Sequence, residues 1–342
     1  MSESPVALKP WIAKVTAGEV LGFAGAQEAF ELIMDGQATA AQISAFLVGL
    51  KMRGEHVDEI AAAATVIRRK AIPVSAPAHA MDIVGTGGDG AHTLNISTAT
   101  AIVAAACGIP VAKHGNRAVS SKSGMTDVLG ALGINVNAEV PVLEHALSEA
   151  GLCFMQAPRH HLSFRHVGPV RQELGIRTIF NILGPLCNPA GVKRILLGVY
   201  AKQWVRPLAD TLVKLGFEKA WVVHGAGGLD ELSTLGDNTV CVVESGRVRE
   251  LIVRPEQAGL PVSTIEQLQG ADSTWNAQRI RELLAGQRDA YRDIVLFGCA
   301  AALLIEGRVQ ELPEGVAMAA SAIDSGKAAA VLAQVADITN RA

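Results

Sequence analysis

Apolar and polar positions change their period along the chain, and the changes mark its elements. From residue 10 to about residue 70 apolar residues recur at helical spacing, which predicts consecutive helices. Thr39 and Gln42 form a capping-box pair ahead of Ile43, Phe46, Leu47 and Leu50, and Asp58-Glu59 fills an acidic first turn before Ile60 and an alanine run. Pro73 and Pro77 break the pattern, so 71–80 reads as a linker. From Met81 short β-branched runs alternate with helices. Lys193–Tyr200, a helix from about Val205 to Leu215, and Ala220–Val223 make one strand–helix–strand unit. Thr239–Val243 and Val248–Val253 flank Glu244-Ser245-Gly246-Arg247 and predict a hairpin. The rest reads as helices over about 276–285, 290–306 and 315–338, with no internal repeat or low-complexity tract.

Composition narrows the class. A length of 342 residues is enough for two domains, and 49% hydrophobic content supports a substantial core. The 34 glycines and 4% aromatics suit a helix-rich α/β protein with many tight turns. A formal charge of −3 gives no general attraction to nucleic acid or to an anionic membrane. The five cysteines are scattered without C-x-x-C spacing and read as reduced core residues. Met1-Ser2-Glu3-Ser4-Pro5 lacks a basic-then-apolar signal, and no apolar run reaches membrane-spanning length. A soluble, cytoplasmic protein is expected.

Three clusters carry chemistry. Asp82–Gly90 is a short apolar strand running into Gly85, Gly87, Gly88 and Gly90, with Asn95-Ile96-Ser97-Thr98 opening a long apolar helix behind it. Glycines let backbone N–H groups approach a ligand, and a helix N-terminus favours an anion, so this is a phosphate cradle. Gly85, Gly87 and Gly90 also spell G-x-G-x-x-G, the dinucleotide fingerprint. However, the helix starts late for that fold, and Lys113-His114 stands where a ribose-binding acid belongs. A P-loop fails too, because no glycine immediately precedes Lys122. The second cluster is Lys113-His114-Gly115-Asn116-Arg117 followed by Ser120-Ser121-Lys122-Ser123, whose cations, hydroxyls and amide match a polyanion bearing a sugar. Alone, it reads equally well as a solvated basic loop. The third is Trp221–Glu231, a strand and glycine turn presenting Asp230 and Glu231. Carboxylates opposite a phosphate cradle suggest Mg²⁺, with acids at a helix N-terminus as the alternative.

Taken together, Gly85–Asp89, Asn95–Thr98, Lys113–Arg117, Arg171–Leu186 and Gly228–Glu231 resemble the signature set of the anthranilate phosphoribosyltransferase family, in order and over nearly the whole chain. The resemblance implies an α/β protein of the nucleoside phosphorylase/phosphoribosyltransferase type. A small helical domain (1–72, with a returning segment at about 170–190) would be hinged to a large α/β domain with a central sheet (80–342). It implies transfer of the 5-phosphoribosyl group from phosphoribosyl pyrophosphate to anthranilate in tryptophan biosynthesis, at a cleft between the domains of a homodimeric, cytoplasmic enzyme. The donor would be held by Gly85, Gly88, Asp89, Thr93, Asn95, Ile96, Ser97, Thr98, Lys113, His114, Gly115, Asn116, Arg117, Ala118, Val119, Ser120, Ser121 and Met125. Anthranilate would meet Gly85, Asn116 and Arg171, and Mg²⁺ would meet Ser97, Asp230 and Glu231. No residue is needed as a covalent or general-base catalyst, because a neutral aromatic amine is already nucleophilic and the work is electrostatic and positional.

Some positions depart from the family pattern. Met125 and Thr126 stand where small residues are usual, Cys187 replaces a usual Thr, Leu162 a usual Pro, and Gly298 a common Asn. Arg159–His166 invites a metal reading, but its arginines would repel a cation and no Cys or acid joins it. It is read as a loop at the acceptor entrance, with His161 a secondary contact to the aromatic ring. Two rivals remain: a pyrimidine nucleoside phosphorylase, which would use inorganic phosphate, and a noncatalytic nucleic-acid-binding relative, which would need a basic groove. The adjacent acids and the Arg171 segment favour the transferase over the first, and the slight net acidity disfavours the second.

Overall fold

The computed structural model describes residues 8–116 and 124–341. Four helices come first: α1 (Lys9–Thr16), α2 (Gly22–Met34), α3 (Ala40–Arg53) and α4 (Val57–Arg69). The expected cap opens α3. Thr39 Oγ1 accepts the Gln42 N–H at 3.3 Å, and Gln42 Oε1 accepts the Thr39 N–H at 3.1 Å, satisfying amides that a helix start leaves without intrahelical partners. Glu59 does more than complement a helix dipole. It is fully buried, accepts the N–H groups of Leu21 at 3.0 Å and His56 at 2.9 Å, and pairs with Arg53. One carboxylate thereby ties α3 and α4 to the turn before α2.

After the irregular stretch 71–80 come β1 (Met81–Gly85), α5 (Ile96–Ala106), β2 (Val111–Gly115), α6 (Met125–Ala131), α7 (Val140–Ala150) and β3 (Leu152–Gln156). Short helices α8 (Ala157–His160), α9 (Gly168–Leu174) and α10 (Phe180–Leu183) lead to β4 (Arg194–Gly198), α11 (Val205–Lys214), β5 (Lys219–His224), β6 (Asn238–Glu244) and β7 (Arg247–Val253). Helices α12 (Ser273–Leu284), α13 (Ala290–Glu306), α14 (Leu312–Asp324) and α15 (Lys327–Asn340) follow.

The strands form one sheet in the order β3-β2-β1-β4-β5-β6-β7. The first five are parallel, and β6 and β7 add antiparallel at one edge. Parallel neighbours need crossover connections, and helices cover both faces. Side chains alternate accordingly. Ile195 and Leu197 of β4 join a core with the N-terminal helices and α11, while Leu196 joins the opposite core with α5 and α12–α15. Phe180, Ile182 and Leu186 belong to the same core as Phe30, Phe46 and Ile67. The segment after α9 therefore returns to pack on the helices that open the chain.

The hairpin forms as expected, with Ser245 and Gly246 at φ +53° and +72°, the left-handed pair that a tight two-residue turn needs. The helix expected over 315–338 is instead two. Gly326 at φ +77° separates α14 from α15, and the pair bends by 62°. Such a residue ends the hydrogen-bond ladder. Among the described residues no single helix is long and apolar enough to cross a membrane. All five cysteines are buried and free.

Candidate active site

Parallel strands gather their carboxyl ends at one edge of a sheet, where open α/β folds bind ligands. The glycine loop follows β1, the basic cluster follows β2 and the acidic loop follows β5. Since β4 lies between β1 and β5, the acidic loop reaches the glycine loop only by crossing the end of β4. Glycines clear that crossing. A Cβ on Gly198, the last residue of β4, would lie 1.7 Å from the Asp230 carbonyl oxygen. One on Gly85 would lie 2.2 Å from Asp230 Oδ2, and one on Gly225 2.2 Å from the Glu231 carbonyl oxygen.

The crossing delivers both acids to the cradle. Asp230 Oδ2 accepts the Gly87 N–H at 2.5 Å, and Glu231 Oε1 accepts the Ser97 N–H at 3.2 Å in the first turn of α5. No helix begins at these acids, so the helix-dipole alternative is excluded. Burial pushes the Glu231 carboxyl up to about 7. It raises Asp230 further above the usual range, and repulsion from Asp89 and Glu231 adds to it. Asp89 is half-buried, and its Oδ1 accepts the Ala91 N–H at 3.1 Å. Crowded, desolvated carboxylates fit a divalent cation. Mg²⁺ suits them best, because it keeps several waters and takes one or two acids plus substrate phosphates. Among the described residues no group of three or more His, Cys, Asp or Glu is placed to hold a metal ion by itself.

The basic strand splits its residues between the two faces. Lys113 is buried on the acid side, where its Nζ donates to the Ile83 carbonyl and desolvation lowers its pKa. It lies beneath the cradle, turned inward rather than out into the loop. His114 faces the other side, and its N–H donates to Asp82 Oδ1 at 3.2 Å. Asp82 Oδ2 in turn accepts from Asn188 Nδ2 at 2.7 Å, which joins β1 and β2 to the chain entering β4. Asn116 is exposed at the end of this strand. Arg117, Ala118, Val119, Ser120, Ser121, Lys122 and Ser123 lie outside the described residues.

Arg171, distant in sequence, is brought to this side by a row of rings. The His114 and His161 rings meet edge to face at 5.1 Å, the His161 and Phe164 rings lie tilted at 5.8 Å, and Phe164 and Phe180 meet edge to face at 5.6 Å. The Arg171 guanidinium sits 5.4 Å from the Phe180 centroid. Burial lowers the His161 pKa to about 4 and pushes His114 well below its ordinary value, so both rings are neutral at neutral pH. Arg171 is half-buried, and among the described residues no carboxylate pairs with it. Arg159 points elsewhere, to Glu139 at 2.6 Å.

Arg177, Leu268 and Gln269 shape the glycine loop, and the sequence reading assigns none of the three a role. Arg177 stacks on Tyr200 at 4.2 Å and donates to the Gly88 carbonyl, fastening the returning segment to the glycine loop. The chain before α12 clamps the loop ahead of α5. Thr93 bridges to Gln269, and Leu94 N–H donates to the Leu268 carbonyl at 2.9 Å. Ile96 is buried within the core beneath the loop, and Thr98 is buried in the first turn of α5. The departures also have places. Met125 fills the space over Gly115, where a Cβ would lie 2.5 Å from its sulfur. Gly298 lets α13 approach α5, a Cβ there lying 3.1 Å from Thr100 Oγ1. Leu162 is exposed, and Cys187 is buried.

The helical bundle domain of a glycosyl transferase family matches residues 9–71, and its a/b domain matches residues 77–329. An anthranilate phosphoribosyltransferase of Parvibaculum lavamentivorans is 54% identical over 97% of both chains. The crystal structure of the Thermus thermophilus anthranilate phosphoribosyltransferase superposes with a TM-score of 0.92 at 41% identity, covering 97% of this chain and 99% of that one. The Saccharomyces cerevisiae enzyme in complex with phosphoribosyl pyrophosphate and Mg gives 0.91 at 28% identity over 99% of both chains. It has also been solved in complex with 4-fluoroanthranilate.

Proposed function

The chain belongs to the anthranilate phosphoribosyltransferase family, and on that premise we propose how its residues perform the family's reaction. The enzyme transfers the 5-phosphoribosyl group from phosphoribosyl pyrophosphate to the amine of anthranilate, giving N-(5-phosphoribosyl)anthranilate and pyrophosphate in tryptophan biosynthesis, with Mg²⁺ as cofactor. The observation that carries the assignment of roles is the pair of buried Asp230 and half-buried Glu231, held over the glycine loop by the Gly87 and Ser97 amides.

Breaking the C1–pyrophosphate bond leaves positive charge on the ribose and negative charge on the leaving group. Stabilising the leaving group is the main task, and preorganised donors in a desolvated site do it best. Glycine-loop amides, Asn95, Ser97, Thr98 and the residues from Lys113 through Ser121 grip the donor. Asp230, Glu231 and Ser97 hold Mg²⁺, which neutralises pyrophosphate charge when bound. Arg171 takes the anthranilate carboxylate through a bidentate fork. Gly85 and Asn116 flank the ring, and His161 with His114 supplies an uncharged wall. The amine attacks without a general base.

The reading divides the chain into a helical domain of 1–72 with the segment at about 170–190 and an α/β domain of 80–342, with the acceptor between them. The exposed Val20, Phe23 and Met52 on the N-terminal helices and their turns support a homodimer through that surface. Five buried free thiols support a reducing, cytoplasmic location. The test supplies phosphoribosyl pyrophosphate, Mg²⁺ and anthranilate and measures pyrophosphate release. One pyrophosphate per anthranilate consumed is expected. Cleavage of a pyrimidine nucleoside by inorganic phosphate, without anthranilate turnover, would favour the phosphorylase instead.

A further inference from the structure

We infer that Asn276 is a positioning residue, one that sets which end of the Asn95 amide faces the phosphates of the donor. The inference rests on the reading of Asn95 as a donor ligand and concerns a side chain nearly two hundred residues away from it in sequence, at about one turn into α12.

A side-chain amide can be turned end for end, and its two ends do opposite things to an anion: the NH₂ attracts it and the oxygen repels it. What fixes the orientation is a group that cannot turn. The backbone N–H of Ala271 lies 2.9 Å from one end of the Asn276 amide. A backbone N–H only donates, so that end is the Asn276 oxygen. The other end is then Nδ2, which lies 2.9 Å from the Asn95 side chain and can meet only an acceptor there. The Asn95 oxygen is therefore turned toward α12, and the remaining branch of its planar amide is the NH₂. A phosphate arriving at the start of α5 meets a donor.

The backbone around Asn95 is fixed in the same manner. Tyr291 Oη donates to the Asn95 carbonyl at 3.2 Å, and Gln269 Nε2 donates to the Ala91 carbonyl at 3.1 Å. Gly270 N–H donates to the His92 carbonyl at 2.9 Å, holding a non-glycine residue at φ +52°. That conformation is costly and persists only where its surroundings enforce it. A Cβ on Gly270 would lie 2.6 Å from the Thr93 carbonyl oxygen, so the two segments are in backbone contact. Asn276 is 2% exposed, which leaves the orientation little competition from water.

The test compares wild type with Asn95→Ala, Asn276→Asp and the double variant, measuring KM for each substrate and the melting temperature. Asn276→Asp keeps an acceptor for the Ala271 N–H but loses the donor to Asn95. It should raise the phosphoribosyl pyrophosphate KM about tenfold while the anthranilate KM stays within about twofold. In the Asn95→Ala background the same change should add less than about twofold, because the group it orients is gone. Asn276→Ala, run through the same cycle, repeats the test without an added charge and covers the case in which the Asp variant does not fold. Unchanged donor KM in both Asn276 variants, or an effect that survives undiminished in the Asn95→Ala background, would overturn the proposal. An Asn95→Ala enzyme with normal donor KM would instead overturn the reading of Asn95 as a ligand, and the proposal with it.

Discussion

In the proposed reading, acceptor recognition turns on Arg171. Its guanidinium is half-buried beside Phe180 with desolvation lowering its pKa, so a carboxylate that enters supplies the missing partner. Arg171→Ala is expected to raise the anthranilate KM by about tenfold to a hundredfold, in keeping with a charge-assisted pair, and to leave donor affinity nearly intact. Arg171→Lys should restore part of the loss, since charge returns without the planar fork. Calorimetric titration with each substrate checks this, and equal weakening for both would assign Arg171 to domain closure instead. Glu231 sets a pH dependence. Its carboxyl is raised from 4.5 to about 7, so the metal-free folded protein loses stability as pH rises through that window, because the folded state holds the proton longer. A bound cation offsets this loss. The melting-temperature gain from Mg²⁺ with phosphoribosyl pyrophosphate should therefore be larger at about pH 8 than at about pH 6. A gain independent of pH would separate Glu231 from the metal. The residue types at both positions were legible from the motif alone. Their surroundings were not, because Lys113 and His114 are neighbours in sequence and face opposite sides of the sheet.

At the scale of elements, the acidic loop depends on the end of β4. Gly198→Ala places a methyl where the Asp230 carbonyl runs, and backbone cannot yield as a flexible side chain does. Activity should fall at least about a hundredfold, with a stability cost of about 1–3 kcal/mol from overpacking. Turnover at the wild-type rate, measured alongside the melting temperature, would mean the loop does not need this crossing. Local rules read many elements correctly. The Thr39–Gln42 box caps α3, and Ser245-Gly246 turns the hairpin. They failed where the break was brief, as at Gly326, which alanine-rich helix flanks on both sides. They also could not place Gly198 or Asn276. A crossing over β4 exists only once β4 is known to lie between β1 and β5, and Asn276 matters only because α12 meets the loop before α5.

The whole molecule works by bringing three strand ends and a returning segment to one edge. The motifs announced the chemistry, since glycine loop, basic strand and paired acids occur together in order. The assembly depends on strand order and on the row of rings from His114 to Phe180, which are products of tertiary packing. The central claim is that Asp230 and Glu231 act through Mg²⁺ to carry charge away from the breaking C1–pyrophosphate bond. The direct measurement is anthranilate fluorescence loss across a Mg²⁺ titration, for wild type and for the folded Asp230→Asn, Glu231→Gln double variant. Wild type should need both Mg²⁺ and phosphoribosyl pyrophosphate, and the variant should lose at least about a hundredfold in kcat/KM, as removal of transition-state charge stabilisation predicts. Wild-type turnover by the double variant at every Mg²⁺ concentration would contradict the account.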